Sequence, residues 1–209
     1  SDARDAFESG LVDLWWQTVK VWKNLQDQKA ALIGAVSDWL VASEVPAEQL
    51  RKVMGIHLLE IPWSGLPDYR EMEPDETLMS RFHGYHTRAL EDAARVLTLL
   101  RNEVEKQSLS AIAVECFSLV QQKKVTACLA LAQLNTDGIT AACEGDLASM
   151  AGMMMVRELT GRVPWMANTT RIEGQTLTLS HCTAAFNLVE KVSLPTHYET
   201  NTSLAVKGR

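Results

Sequence analysis

The chain has 209 residues, roughly one and a half times a usual domain length, so it holds one large or two small domains and can bury a core. With 46% hydrophobic and 22% charged residues, 11 Gly and 6 Pro, it falls outside the disordered, collagenous and low-complexity classes. Twenty Lys and Arg against 26 Asp and Glu leave a formal net charge of -6; with no excess of cations for phosphates, nucleic acid and anionic membranes are poor first readings of the partner.

No apolar run approaches the roughly 20 residues that cross a bilayer, and residues 1–30 hold no signal-peptide apolar region. A soluble, cytoplasmic protein is expected. Cys116, Cys128, Cys143 and Cys182 stand 12, 15 and 39 residues apart, without the close pairs of zinc ribbons or redox motifs; they read as reduced, mostly buried thiols.

Residues 11–26 place Leu11, Leu14, Trp15, Val19, Trp22 and Leu25 at helical spacing, which predicts a helix burying one stripe. Residues 30–36 form a short apolar run without alternation, the pattern of a strand covered on both faces. A similar run covers 54–61, before a Pro/Gly-rich turn. Residues 73–106 lead with acids and follow with bases, as one long helix with at most one break requires. A buried strand at 110–117, a helix at 126–134, a strand at 138–143 and a Met-rich helix at 146–159 closed by Gly161 complete the series. Strands and helices alternating at this rhythm predict an α/β fold, a doubly wound and mostly parallel sheet with helices on both faces. After Pro164 the pattern changes to extended stretches around Glu173-Gly174-Gln175, a hairpin turn. We read residues 1–164 as a Rossmann-like α/β domain and 165–209 as the beginning of a β-rich, barrel-like domain.

In a parallel sheet, ligands collect at the carboxyl ends of the strands. The predicted strands end at Ser37-Asp38, Glu115-Cys116 and Glu144-Gly145-Asp146, which lines acidic residues along one edge. Gly145 permits a sharp exit from the strand, Asp146 suits the N-cap of the next helix, and Glu144 is left at the tip. A carboxylate there can bind a divalent metal or move a proton. On local pattern alone the plainer reading, a cap and a surface charge, is favoured.

The stretch ITAACEGDLASMAGMMMVRELTGRVPWMANTT, followed by TLTLSHCTAA and HYETNTSLAVKGR, resembles the L-fucose and L-arabinose isomerase superfamily, and most of all its fucose-isomerase-like proteins. Upstream, AALIGAVSDWLVAS and AVECFSLVQQKKVTACLALAQLNTDGITAACEGD are similar to that family's second domain in order and spacing. The resemblance implies a central portion of a longer, three-domain protein that acts as a trimer or hexamer on a small sugar. It also implies Mn²⁺, held by the Glu of the Glu-Gly-Asp element, which is here Glu144 and doubles as an acid/base group. A second carboxylate on the next strand corresponds to Ala167 or Asn168, so the chain departs from the pattern there; an Asn168 oxygen can fill part of a metal shell but cannot carry a proton. The arabinose branch's histidine ligand matches His181, and His197 matches a position facing the sugar.

Aldose–ketose interconversion moves a proton between C1 and C2 through an ene-diol, which needs a base near one carbon and a cation holding both oxygens. Oxygen and nitrogen ligands suit Mn²⁺. The first expectation is therefore a metal-dependent sugar isomerase of the fucose/arabinose type. The alternative is a non-catalytic sugar-binding protein on the same scaffold. A third reading is an enzyme of phosphorylated or sulfonated sugars, for which Arg171 and Lys123 are the candidate cations. His83 and His86, three apart, read as exposed helix groups. Met150, Met153, Met154 and Met155 read as core, and Trp39, Trp63 and Trp165 lie near strand ends where sugar rings stack, with a core role the default.

Overall fold

The computed structural model describes residues 3–82 and 87–188 and, by their backbone, the strand residues 191–193, 196–197, 201–202 and 205–207. His83 and His86 lie outside the described residues. In chain order the elements are α1 (Ala3–Glu8), α2 (Leu11–Leu25), β1 (Lys29–Ile33), α3 (Ala47–Met54), β2 (His57–Ile61), α4 (Glu76–Arg81), α5 (Arg88–Gln107), β3 (Ala111–Val114), α6 (Cys116–Ser118), α7 (Cys128–Asp137), β4 (Thr140–Cys143) and α8 (Leu147–Thr160). The antiparallel hairpin β5 (Asn168–Glu173) and β6 (Thr176–Ser180) follows, then β7 (Lys191–Ser193), β8 (Thr196–His197), β9 (Asn201–Thr202) and β10 (Ala205–Lys207).

The main sheet has order β2-β1-β3-β4, and each neighbouring pair is parallel. It is the α/β architecture expected, with helices on both faces. Three of its strands are covered on both sides: every residue of β3 and β4, and all of β1 after Lys29, is buried, while the edge strand β2 is partly exposed. Alternation then divides the residues between two cores. Ala31, Ile33, Ile112, Val114, Ala141 and Cys143 meet the leucine-rich faces of α5 and α7. On the opposite face Ala30, Ala111, Ala113 and Ala142 present a nearly flat surface with Leu32, and α8 covers it with Met150, Met153 and Met154, whose unbranched chains fill such a surface well. The chain proceeds from β1 to the edge strand β2, then crosses to β3 and β4. The winding therefore reverses between β1 and β3, the place where parallel sheets open a crevice.

Several elements differ from the sequence expectation. The apolar run at 54–61 is divided: Met54 closes α3 against Gly55, and the strand begins at His57. The helical stretch expected at 73–106 with at most one break agrees with that reading, as α4 capped by Asp75 and α5 capped by Thr87. The stripe on α2 is not buried. Only Val21 and Leu25 reach the core, while Leu14, Trp15 and Trp22 are more than half exposed. The last turn of α2 alone lies over the sheet; the rest packs with α1 and α8 and leaves its indoles outward.

Candidate functional site

Glu115, Asp146 and Glu144 are among the carboxylates at the carboxyl edge of the sheet, and local geometry gives them different tasks. Glu115 follows β3. Its carboxylate caps α6, accepting from the Ser118 backbone N–H at 2.9 Å and from the Ser118 hydroxyl at 2.5 Å, and from the Trp63 indole N–H at 3.1 Å. Gly34, at φ +90°, lies beneath this group; a Cβ there would come within 2.7 Å of Trp63 Nε1 and 2.8 Å of Glu115 Cβ. Asp146 follows β4 and caps α8, accepting from the Ser149 N–H at 2.8 Å and its hydroxyl at 2.7 Å. Both are structural caps with their oxygens engaged.

Glu144, between β4 and that cap, is different. Its backbone is left-handed, φ +62°, and Gly145 beside it is left-handed too, at φ +68°. A non-glycine residue in this region carries strain of about 1–3 kcal/mol, and such residues cluster at functional sites. The surroundings hold it there. The Glu144 carbonyl accepts from the Ser37 hydroxyl at 2.8 Å and the Ser37 N–H at 3.3 Å, Gly145 N–H donates to Val114 O at 2.9 Å, and Asp146 N–H donates to Cys143 O at 3.0 Å. A Cβ on Gly145 would stand 2.2 Å from Ala35 O, so the close crossing of the β4 exit over the β1 exit requires glycine. Asn135, buried in α7, fixes β4 from below by bonding both the N–H and the carbonyl of Ala141 at 2.9 and 2.8 Å.

The consequence is that the Glu144 carboxylate, 24% exposed, faces the His181 imidazole, whose side chain is 5% exposed, at 3.9 Å from Oε1 to Nε2. Nδ1 of His181 is engaged by the Thr183 hydroxyl at 3.0 Å, which directs Nε2 at the carboxylate. Burial pushes the His181 pKa down, but its hydrogen bond to Cys182 and the charges of Glu144 and Asp146 outweigh burial and leave it above the ordinary histidine value. A cleft of about 630 Å³ opens at the same edge; Gly34, Ser37, Asp38, Glu60 and Leu147 are among its walls.

The other sequence candidates are placed as follows. Asn168 opens β5, opposite Ser180 across the hairpin, and is exposed. His197 lies in the short strand β8, and its side chain is outside the described residues. Lys123 pairs with Asp68 at 3.0 Å, and Arg171 pairs with Glu173 two residues along β5. Trp39 is 56% exposed and stands edge-on against Phe117, ring centroids 4.7 Å apart. Among the described residues the buried indole N–H of Trp165 has no hydrogen-bond partner. Met166, beside it, places its sulfur 3.1 Å from the Cys143 N–H, one residue before Glu144.

Sequence reasoning missed the gathering of the cysteines. All four are free. Cys116 and Cys143, at the ends of the adjacent strands β3 and β4, approach to 3.3 Å; Cys128, at the start of α7, is 3.3 Å from Cys182. Hydrogen bonds from Cys128 and Cys143 hold the Cys182 thiol well below its usual value, against burial and with help from His181. The hydrogen bond to Cys182, with burial, raises Cys128, and the bonds to Cys116 and Cys182, with burial, raise Cys143. Spacing in sequence gave no hint of this, because the contacts come from strand order and from the return of the chain after β6.

As to metal, Glu144 and His181 supply one oxygen and one nitrogen donor of the kinds that suit Mn²⁺. Among the described residues no group of three or more His, Cys, Asp or Glu side chains could hold a metal ion. By themselves these two donors do not make up a metal site.

No family model matches the chain. It is similar to the sulfoquinovose isomerases of Priestia aryabhattai and Priestia megaterium (strain ATCC 12872 / QMB1551), each 22% identical over 179 residues that cover 79% of this chain and 40% of the relative. The chain therefore spans about two fifths of the length of these curated relatives. The likeness is a distant, sugar-isomerase-like relationship. Among the described residues no helix is long and apolar enough to cross a membrane.

Proposed function

We propose that the chain is the α/β portion of a metal-dependent aldose–ketose sugar isomerase, with Glu144 as the proton-transfer group. The observation that carries this reading is the strained, firmly anchored Glu144 facing a buried histidine at the edge where parallel sheets bind ligands. The relatives, named for isomerising a sugar, support it.

Glu144 would take the C2 proton of the aldose; the C2–H electron pair becomes the C1–C2 double bond while the C1=O π pair moves to O1, which takes a proton to give the ene-diol. The carboxylic acid so formed returns its proton to C1 as O2 loses its own and becomes the ketose carbonyl, water carrying the proton between the two oxygens. Mn²⁺, when bound through Glu144 and His181 and completed by groups outside this pair, would supply positive charge for the two sugar oxygens. The Ser37 hydrogen bonds hold the carboxylate at the strand tip, and the Thr183 contact keeps His181 Nε2 turned toward it. Asn168 remains a proposed oxygen donor and His197 a proposed contact to the sugar.

The sequence resemblance points to a fucose- or arabinose-type sugar, while the relatives act on a sulfonated one, so the substrate class belongs to the proposal. So do cytoplasmic location and homo-oligomerisation; the exposed Trp15, Trp16 and Trp22 support an assembly surface. The non-catalytic reading has one observation in its favour: the acid that the resemblance expects falls on Ala167 or Asn168, and neither is acidic.

The test is exchange of the sugar C2 proton in D₂O with Mn²⁺, followed by NMR for a deoxyhexose, an aldopentose and a sulfonated hexose. Exchange with at least one of them that Glu144→Gln abolishes is the expected result. Saturable sugar binding without exchange would overturn isomerisation and establish the sugar-binding alternative.

A further inference from the structure

The mechanism uses none of the four cysteines, yet the fold brings them together from four separate places. Cys116 begins α6, Cys143 ends β4, Cys128 begins α7, and Cys182 follows β6. Convergence of every cysteine in a chain is not a packing requirement, since valine or alanine would fill these positions with less chemical risk. Among the four, Cys116, Cys128 and Cys143 are buried and Cys182 is the one in partial contact with solvent. An oxidant arriving from solvent therefore meets Cys182 first, and the sulfur of Cys128 stands 3.3 Å from it.

We propose that Cys182 and Cys128 form a reversible, hydroperoxide-driven disulfide that acts on His181. The peroxide is the oxidant. The Cys182 sulfur attacks its O–O bond, forming an S–O bond while the released oxygen leaves as water or alcohol with the thiol proton. The Cys128 sulfur then attacks the sulfenic sulfur, the S–S bond forms, and the second oxygen leaves as water. Two electrons pass from the thiol pair to the peroxide, and no further co-reactant is needed.

Closing the pair requires the sulfurs to move from 3.3 Å to about 2.05 Å, a displacement that side-chain rotation and a small backbone shift can supply. The bond has a direct consequence one residue away. Cys182 Sγ now lies 4.0 Å from His181 Nδ1 as a hydrogen-bond partner; in the disulfide the sulfur is neutral and tied to a second sulfur, so that partnership is lost, and the backbone of His181 is drawn toward the start of α7. The Thr183 contact that sets the ring is on the same short segment. Oxidation thus changes the orientation of the imidazole opposite Glu144. The proposal stands whether or not the site isomerises a sugar.

The decisive experiment treats the folded chain with a small excess of hydrogen peroxide, blocks remaining thiols and maps the peptides. Cleavage after Lys and Arg combined with cleavage before Asp137 separates all four cysteines. The expected product has lost two of its four thiols, carries the link between Cys128 and Cys182, shows a shifted His181 ring resonance, and returns to the starting state with dithiothreitol. In Cys128→Ser the sulfenic acid on Cys182 should persist and be captured by dimedone, while Cys116→Ser should still form the link. A link mapped to Cys116 and Cys143 alone, sulfinic acid at Cys182 with no link, or four thiols surviving would each overturn the proposal. Peptide mapping of the unsubstituted protein decides it even where a variant fails to fold.

Discussion

Glu115 and Glu144 occupy equivalent places, each at the tip of one of two adjacent parallel strands, yet they are held in opposite ways. Glu115 sits in ordinary extended backbone and has its carboxylate filled by Ser118 and Trp63. Glu144 sits in left-handed backbone, is anchored through its carbonyl, and leaves its carboxylate for His181. A carboxylate whose oxygens are consumed by caps is structure; one whose backbone is fixed so that its oxygens stay available is the better candidate for chemistry.

The largest effect should come from Gly145→Ala. A Cβ 2.2 Å from Ala35 O cannot be accommodated without moving β1 or β4, and the loss should exceed about 3 kcal/mol. Urea unfolding measures it; a change under about 1 kcal/mol would show that the crossing is not tight. Next, Glu115→Ala should cost about 1–2 kcal/mol through the lost cap and the stranded indole, while leaving Mn²⁺ binding unchanged by calorimetry. Equal loss of metal binding would erase the distinction between the two glutamates.

Glu144→Gly should move in the other direction. Relief of the left-handed strain should stabilise the fold by about 1 kcal/mol while C2 proton exchange disappears, the stability and activity readouts separating. A destabilised Glu144→Gly would mean that the side chain is structural after all.

The smallest expected effect is on pH. His181, raised above its ordinary 6.5 by groups that prefer its charged form, contributes stability that is complete below 6.5 and is lost as the pH rises through its higher folded value. In the metal-free protein the His181 ring should titrate above 6.5 by NMR, and Glu144→Gln should move the midpoint down. An unmoved midpoint would remove Glu144 from its surroundings.

What the sequence made legible is what local rules decide. The apolar runs at β1, β3 and β4, the Asp146 cap, Gly161 at the end of α8 and the hairpin at Gly174 all depend on neighbours within a few residues, and all are present. The site was half legible: the Glu-Gly-Asp turn and His181 could be named, but the left-handed Glu144 is imposed by Ser37 on another strand exit, more than a hundred residues earlier in the chain. The cysteine cluster depends on strand order and was not readable from spacing. On α2, helical periodicity was right about the helix and wrong about burial, because periodicity reports a face and not what covers it.

Mn²⁺ titrated into the metal-free protein while the histidine ring protons are observed by NMR tests the central claim most directly, since paramagnetic broadening reports even weak, incomplete sites. The account predicts that His181 broadens first and selectively, and that Glu144→Gln abolishes this while His57 behaves alike in both proteins. Broadening of His57 before His181, or a His181 response unchanged by Glu144→Gln, would contradict it.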